Sequence, residues 1–396
     1  MIPDESRRIP RLQVGVLGVM TIAVYGSWHY AFSVLLDPII DETGWSEPFL
    51  ASAFGASVLI GGVASIAGGW LLDRLGSRLV FAVAAGTGLV SFLVATSAQS
   101  AFLFAVAVAI GGGAFSALGF YHITQTVAVR LSPGSSTRAI AVLTVWGAFA
   151  SAVYMPGTAL LVGPIGWRAT LLVVSMSAVL AFVIGAALLD TRTGEMPQGF
   201  HIFSEVRNSL RHPTARSFIV SQAVVGVAVG VILVYQVPAM TSAGLPLAAA
   251  SFWAGFRGFA QLLGRLPLMP LVHRLGVVGS LRVSYLAIGL GAVALAFAGT
   301  PVLAAVYALV AGFGVGAASP LIGMFTRDVF GASSLGTAMG MISLVFLVVG
   351  SIGPPLAGWV SVATGSRAVA VVGAGVLAVV AAGLLRTPRV GVPGES

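Results

Sequence analysis

The chain has neither cysteine nor lysine, and only 8% of its 396 residues are charged. Without cysteine there is no disulfide framework, thiolate metal site or cysteine nucleophile. Without lysine there is no Walker phosphate loop, which excludes an ATP-driven pump, and no H-E-x-x-H or G-x-S-x-G motif occurs either. Soluble domains carry roughly 25% charged residues, so the composition also excludes the soluble class.

What remains is apolar. Hydrophobic residues make up 58% of the chain, mean hydropathy is +1.02, and glycine numbers 51. Glycine is enriched in membrane helices because it lets backbones approach closely. A helix needs ~20 mostly apolar residues to cross a bilayer. Twelve stretches qualify: 12–36, 48–72, 79–98, 101–129, 139–163, 169–189, 216–240, 248–272, 280–299, 302–325, 335–360 and 367–385. The fold class expected is all-α polytopic, and the lipid bilayer is its first partner. Paired acids or a nucleophile–base set are absent from these spans, so catalysis is not expected, nor is a metal or other cofactor.

The formal charge of +8 comes from twenty arginines, scattered through short loops rather than gathered in a nucleic-acid patch. Orientation explains them better. With the N-terminus in the cytoplasm, all but four lie on that side; Arg168 and Arg367 fall opposite, and Arg257 and Arg265 lie within a span. Both termini then come out cytoplasmic. The leading MIPDESRRIPR lacks a cleavage pattern. An all-arginine basic set suits a GC-rich bacterial genome, hence a bacterial cytoplasmic membrane.

The two intramembrane arginines carry most of the chemical information. A charge at bilayer depth costs at least ~2.5 kcal/mol on insertion scales. Arg257, Gln261 and Arg265 are spaced by four, which places them on one face of a continuous helix. No acidic residue lies inside any of the twelve stretches to neutralise them. The expected result is a cationic stripe along a water-filled path, suited to a small organic anion.

The polar segment 190–215 divides the chain into 1–189 and 216–396. The halves look related: Asp73-Arg74-Leu75-Gly76 after the second span recurs as His273-Arg274-Leu275-Gly276 after the eighth, offset by 200. Two six-helix halves with a midplane site between them are a layout for alternating access.

GGWLLDRLGSR resembles the signature of the major facilitator superfamily, through Gly69, Asp73, Arg74, Gly76 and Arg78. AIAVLTVWGAFASAVYMPGTALLVGPIGWR is similar to the fifth helix of bacterial members, and SIGPPLAGWVSVATGS to the end of their eleventh. The resemblance implies the major facilitator fold, a cytoplasmic latch made by Asp73, Arg74 and Arg78, and close helix packing at Gly69. His273 stands where the second copy would carry an acid. The eighth span is similar to that of the monocarboxylate porter and oxalate–formate antiporter families, with Arg265 eight residues before His273 and Pro267 close behind. There the arginine grips the substrate carboxylate. Gln261 replaces the porters' proton-exchanging aspartate, and the family pattern does not account for Arg257.

Each candidate has a plainer reading beside the functional one. Arg265 could snorkel to the span end, and Arg257 could bond helix carbonyls. Gln261 could simply support both. His29 and His122 are the only side chains in the spans that could carry a proton near neutral pH; as neutral histidines they would bond their neighbours instead. Tyr121, Tyr154, Tyr235 and Gln236 could line the cavity; for Tyr235 and Tyr154 the plainer reading is an interfacial belt, which leaves Tyr121 the better pocket candidate. The reading is a secondary transporter of small, monocarboxylate-like anions, working as a monomer, with H+ as candidate co-substrate. The alternative is an exporter of amphipathic drugs or metabolites in the same superfamily.

Overall fold

The structure, a computed structural model, describes residues 10–132, 134–191, 212–330 and 335–387. Most of the expected linker 190–215, and both chain ends, lie outside the described residues. All regular structure described is helical. The elements are α1 (Arg11–Val24), a π turn (Tyr25–Tyr30), α2 (Ala31–Thr43), α3 (Glu47–Ser97), α4 (Ala101–Gly119), α5 (Tyr121–Leu131) and α6 (Ser136–Leu188). The second half holds α7 (Pro213–Ser242), α8 (Leu247–Ala260), a 3-10 turn (Leu263–Arg265), α9 (Leu268–Ala296), α10 (Pro301–Phe330), α11 (Leu335–Gly350), α12 (Gly353–Thr364) and α13 (Arg367–Leu384).

Nine described helical segments are long and apolar enough to span a membrane. Three of the helices reverse direction inside. At 51 residues α3 would run ~76 Å if straight, far beyond a ~30 Å hydrocarbon core. It turns at Gly76, whose φ of 79° and ψ of 169° only glycine adopts without strain. α6 turns likewise at Gly166 and α9 at Gly276. α8, the 3-10 turn and the start of α9 form the eighth crossing, and twelve crossings result. Apolar side chains such as Phe102, Leu160 and Val302 remain 72–73% exposed on the outer faces, where lipid would cover them.

The two halves carry the same turns. Among the described residues the positive-φ positions are Gly44, Gly76 and Gly166 in the first half, and Gly244, Gly276 and Gly365 in the second. The internal repeat expected from Asp73 and His273 is therefore written into the backbone.

The first crossing corrects the sequence reading. The helix runs on through Pro38 to Thr43, so Asp37, Asp41 and Glu42 are helical rather than in a loop. Pro38 only removes one intrahelical bond, whereas the left-handed Gly44 stops the helix.

The halves meet through small residues and backbone groups. Ser33 Oγ accepts from Val237 N–H at 3.2 Å, and Ser151 Oγ donates to Gly255 O at 3.0 Å. At the bundle end opposite Arg11 and Leu384, Arg367 of the second half reaches Glu47 at 2.8 Å and Asp37 at 2.5 Å, both in the first. It also donates to Ser242 Oγ at 3.1 Å and Pro238 O at 3.3 Å. Arg168, at the matching G-x-R of the first half, stays within its own half and donates to Glu42 and Ala98 O, both at 3.1 Å.

The central cavity as candidate functional site

Between the halves lies a cavity of about 220 Å³. Three local irregularities shape it. The first is the π turn in the first crossing, which brings Tyr25, His29 and Tyr30 all to the cavity wall. Widened turns of this kind recur at functional sites.

The second is a break in the fourth crossing at Phe120, with ψ of 176°. The break frees the Ala117 carbonyl, which accepts from His122 Nε2–H at 2.9 Å. Phe120 stacks on Tyr25 with centroids 3.9 Å apart and an 8° interplanar angle. His29 meets the same Phe120 edge-on at 4.8 Å.

The third is the end of α8 at Ala260. Pro267 lacks an N–H and its ring crowds the carbonyl four residues earlier, so the α pattern cannot continue through Leu263. Gly264 adds a close approach: a Cβ there would sit 2.2 Å from Phe313 O. The expected single helical face through Arg257, Gln261 and Arg265 is thereby corrected. Arg257 and Gln261 line the cavity, while Arg265 falls in the 3-10 turn and does not.

Arg257 is 5% exposed and sits in the last turn of α8, where helix-end carbonyls favour a cation. Its Nε–H donates to Gln236 Oε1 at 3.0 Å. Tyr307 donates to the same oxygen at 2.9 Å, and Gln236 Nε2 donates to Leu233 O at 3.1 Å. Gln236 is thus held at both ends of its amide and oriented, yet neutral. No carboxylate pairs with Arg257 among the described residues, and the hydroxyls of Tyr30 and Tyr307 lie beside it. The neighbour that holds Arg257 is therefore Gln236, not Gln261.

His29 is 5% exposed. Ser116 Oγ has one proton, given to Gly112 O at 2.8 Å, so at 3.2 Å it accepts from His29 Nε2–H. That fixes the tautomer and leaves Nδ1 a bare acceptor, buried without a partner among the described residues. His122 lines the cavity, but its Nε2 is committed to Ala117 O.

Other expected residues lie elsewhere. Tyr154 does not line the cavity; its hydroxyl is 2.6 Å from Ser177 Oγ, between the fifth and sixth crossings. Tyr121 packs against Gly147, its ring 5.2 Å from Tyr25, within electrostatic range of Arg265. Arg265 itself is half-buried and makes no hydrogen bond or ion pair with the described residues. Tyr235 has its hydroxyl buried near Glu47, away from the cavity.

Of the latch residues, Asp73 pairs with Arg130 on the fourth crossing, within one half. Arg74 lies over the Trp70 ring at 4.9 Å, and Arg78 is exposed. Gly69 faces open space; close packing falls to its neighbour Gly68, where a Cβ would sit 2.4 Å from Ala117 O. Sequence reasoning passed over Tyr30, Phe120 and Arg367. The aromatic cluster YGSWHY and the second G-x-R were the available signals.

A bundle of twelve crossings with a buried site between two repeated halves defines a membrane carrier that exposes its site to one side at a time. The sequence matches the Major Facilitator Superfamily over residues 17–199 and 217–396, and the chain belongs to that family. It is a secondary transporter, not an enzyme. No curated protein matches the sequence. Among solved structures, the nucleoside transporter NupG is similar at a TM-score of 0.79 and 15% identity, covering 94% of this chain and 97% of that one. A POT family transporter in complex with a thioalcohol-conjugated peptide is similar at a TM-score of 0.72 and 12% identity, covering 96% and 97%. At such identities the likeness concerns the fold.

Proposed function

We propose that this chain carries small organic monoanions of the monocarboxylate type across a bacterial cytoplasmic membrane, with both termini in the cytoplasm. One observation carries the proposal: Arg257 is buried at the cavity wall, held by the neutral Gln236, with no carboxylate opposite among the described residues. A buried charge without a partner costs several kcal/mol, and an anionic cargo removes that cost. Guanidinium suits carboxylate because its planar donors grip both oxygens.

In this reading Gln261 and the Tyr30 hydroxyl orient the bound anion. Arg265 lies ~12 Å further along the crossing at 1.5 Å per residue, and draws anions in from the cytoplasmic side. In this reading the Nδ1 atoms of His29 and His122, both at the cavity wall, are where the first half takes a proton or accepts a ligand hydrogen bond. The cavity is walled by residues of one chain, and in this reading the working unit is a monomer. An exporter of amphipathic metabolites is favoured by a separate observation, the mainly apolar wall formed by Phe54, Val58, Ile232, Leu233, Ile288 and Val315.

The test is binding and flux in proteoliposomes. Arg257→Ala abolishes carboxylate binding and uptake while the protein stays folded, and Arg257→Lys rescues poorly because an ammonium lacks the planar fork. Normal uptake by the alanine variant would remove Arg257 from the site.

A further inference from the structure

Resting on Arg257 as the anion anchor, we infer that the cargo is a monocarboxylate bearing an aromatic or branched apolar group, not a small hydrophilic acid. The cavity has two unlike walls. The second half supplies Arg257, the only lining arginine among the described residues, and its amide neighbour Gln261. The first half supplies a flat aromatic plate, Tyr25 stacked on Phe120 at 3.9 Å, with Phe54 beside it.

The repeat sharpens the contrast. Moving 200 residues back from Arg257 reaches Ser57, whose hydroxyl lies against Trp28 Nε1 at 2.8 Å. Moving 200 forward from His29 and Tyr30 reaches Val229 and Gly230, both also at the cavity wall. Equivalent positions have thus diverged into a charged pole on one half and an aromatic pole on the other.

Of the polar groups at the wall, Arg257, Gln261 and the Tyr30 hydroxyl are taken by the carboxylate in this reading, which leaves mainly apolar residues to face the rest of the cargo. The Ser116 hydroxyl is spent on Gly112 O and His29, and His122 Nε2 is spent on Ala117 O. A dicarboxylate would bring a second charge with no second arginine at the wall among the described residues. A polyhydroxy acid would lose its hydration without equivalent bonds. A ring or branched chain instead exchanges water for the apolar wall, which strengthens binding by ~10-fold or more over a bare carboxylate. It also reaches both halves at once. Formate or acetate on Arg257 touches one wall, and so gives the halves no reason to close together.

The experiment is a ligand panel on the purified full chain, read as melting shifts and as competition for uptake in proteoliposomes. The panel is formate, acetate, lactate, phenylacetate, 4-methylpentanoate, succinate and the neutral phenylacetamide. The expected result is at least tenfold tighter binding of phenylacetate and 4-methylpentanoate than of acetate or lactate, with no effect of succinate or phenylacetamide. In Phe120→Leu the gap between phenylacetate and acetate narrows. Equal affinity for acetate and phenylacetate overturns this inference and leaves the anion anchor standing. Phenylacetamide binding as tightly as phenylacetate overturns the anchor itself. Silence from every acid overturns both.

Discussion

Gln236 receives the Arg257 Nε–H at 3.0 Å and offers it no charge in return. The pair fixes the direction of a buried guanidinium without neutralising it. Because Gln236 is also held by Tyr307 and by Leu233 O, its amide orientation is not free to change.

Gln236→Glu therefore places a countercharge where only a dipole stood. At 4 Å and an effective dielectric near 20, that attraction is ~4 kcal/mol, and a bound anion must compete with it. Anion affinity falls roughly a thousandfold by isothermal titration, while the melting temperature holds or rises. Gln236→Leu instead loosens the guanidinium, with a smaller loss of affinity.

Arg265→Ala acts on rate more than on affinity. The residue stands away from the cavity wall and makes no ion pair among the described residues. Initial uptake slows several-fold at low ionic strength, and the deficit shrinks as salt shortens the Debye length to ~8 Å at 0.15 M. A large, salt-independent loss of equilibrium binding would instead place Arg265 on the cargo.

Gly68→Ala and Gly69→Ala separate neighbouring glycines. A Cβ on Gly68 meets the Ala117 carbonyl at 2.4 Å, whereas on Gly69 it meets nothing within 4 Å. Overpacking of this kind costs ~1–3 kcal/mol. The first variant melts clearly lower in detergent, and the second melts like the parent or slightly above it.

Arg367→Ala loosens the end of the bundle at which it ties the halves together. Its guanidinium joins Glu47 and Asp37 across the halves, and the loss leaves two partly buried acids without their cation. The equilibrium shifts at least tenfold toward the conformation open on that side. The chain contains no cysteine, so one thiol introduced at Val229 reports the shift by its labelling rate with an impermeant maleimide. Unchanged labelling in the arginine variant would show that other contacts close that end.

Much of the fold was legible because bilayer thickness and hydropathy leave few choices. Runs of ~20 apolar residues, arginines at alternate turns and the Asp73/His273 offset led to twelve crossings in two halves. The site was legible only in part. Arg257 stood out because no acid shares its span. The spacing of Gln261 and Arg265 misled, because periodicity assumes a continuous helix and Pro267 with Gly264 ends it. The tyrosines misled for a related reason: a hydroxyl's direction depends on which neighbouring crossing receives it, and Tyr154 turns to Ser177. Gln236 as the partner of Arg257 required the packing of the seventh crossing on the eighth, which no local pattern encodes.

The glycine turns of the two halves have a consequence for the cavity. Gly44 to Gly244 and Gly76 to Gly276 keep the same separation, and Gly166 to Gly365 differs from it by one. The two halves therefore keep their lengths almost in step while their side chains differ, so one scaffold shape presents two unlike walls to a single guest.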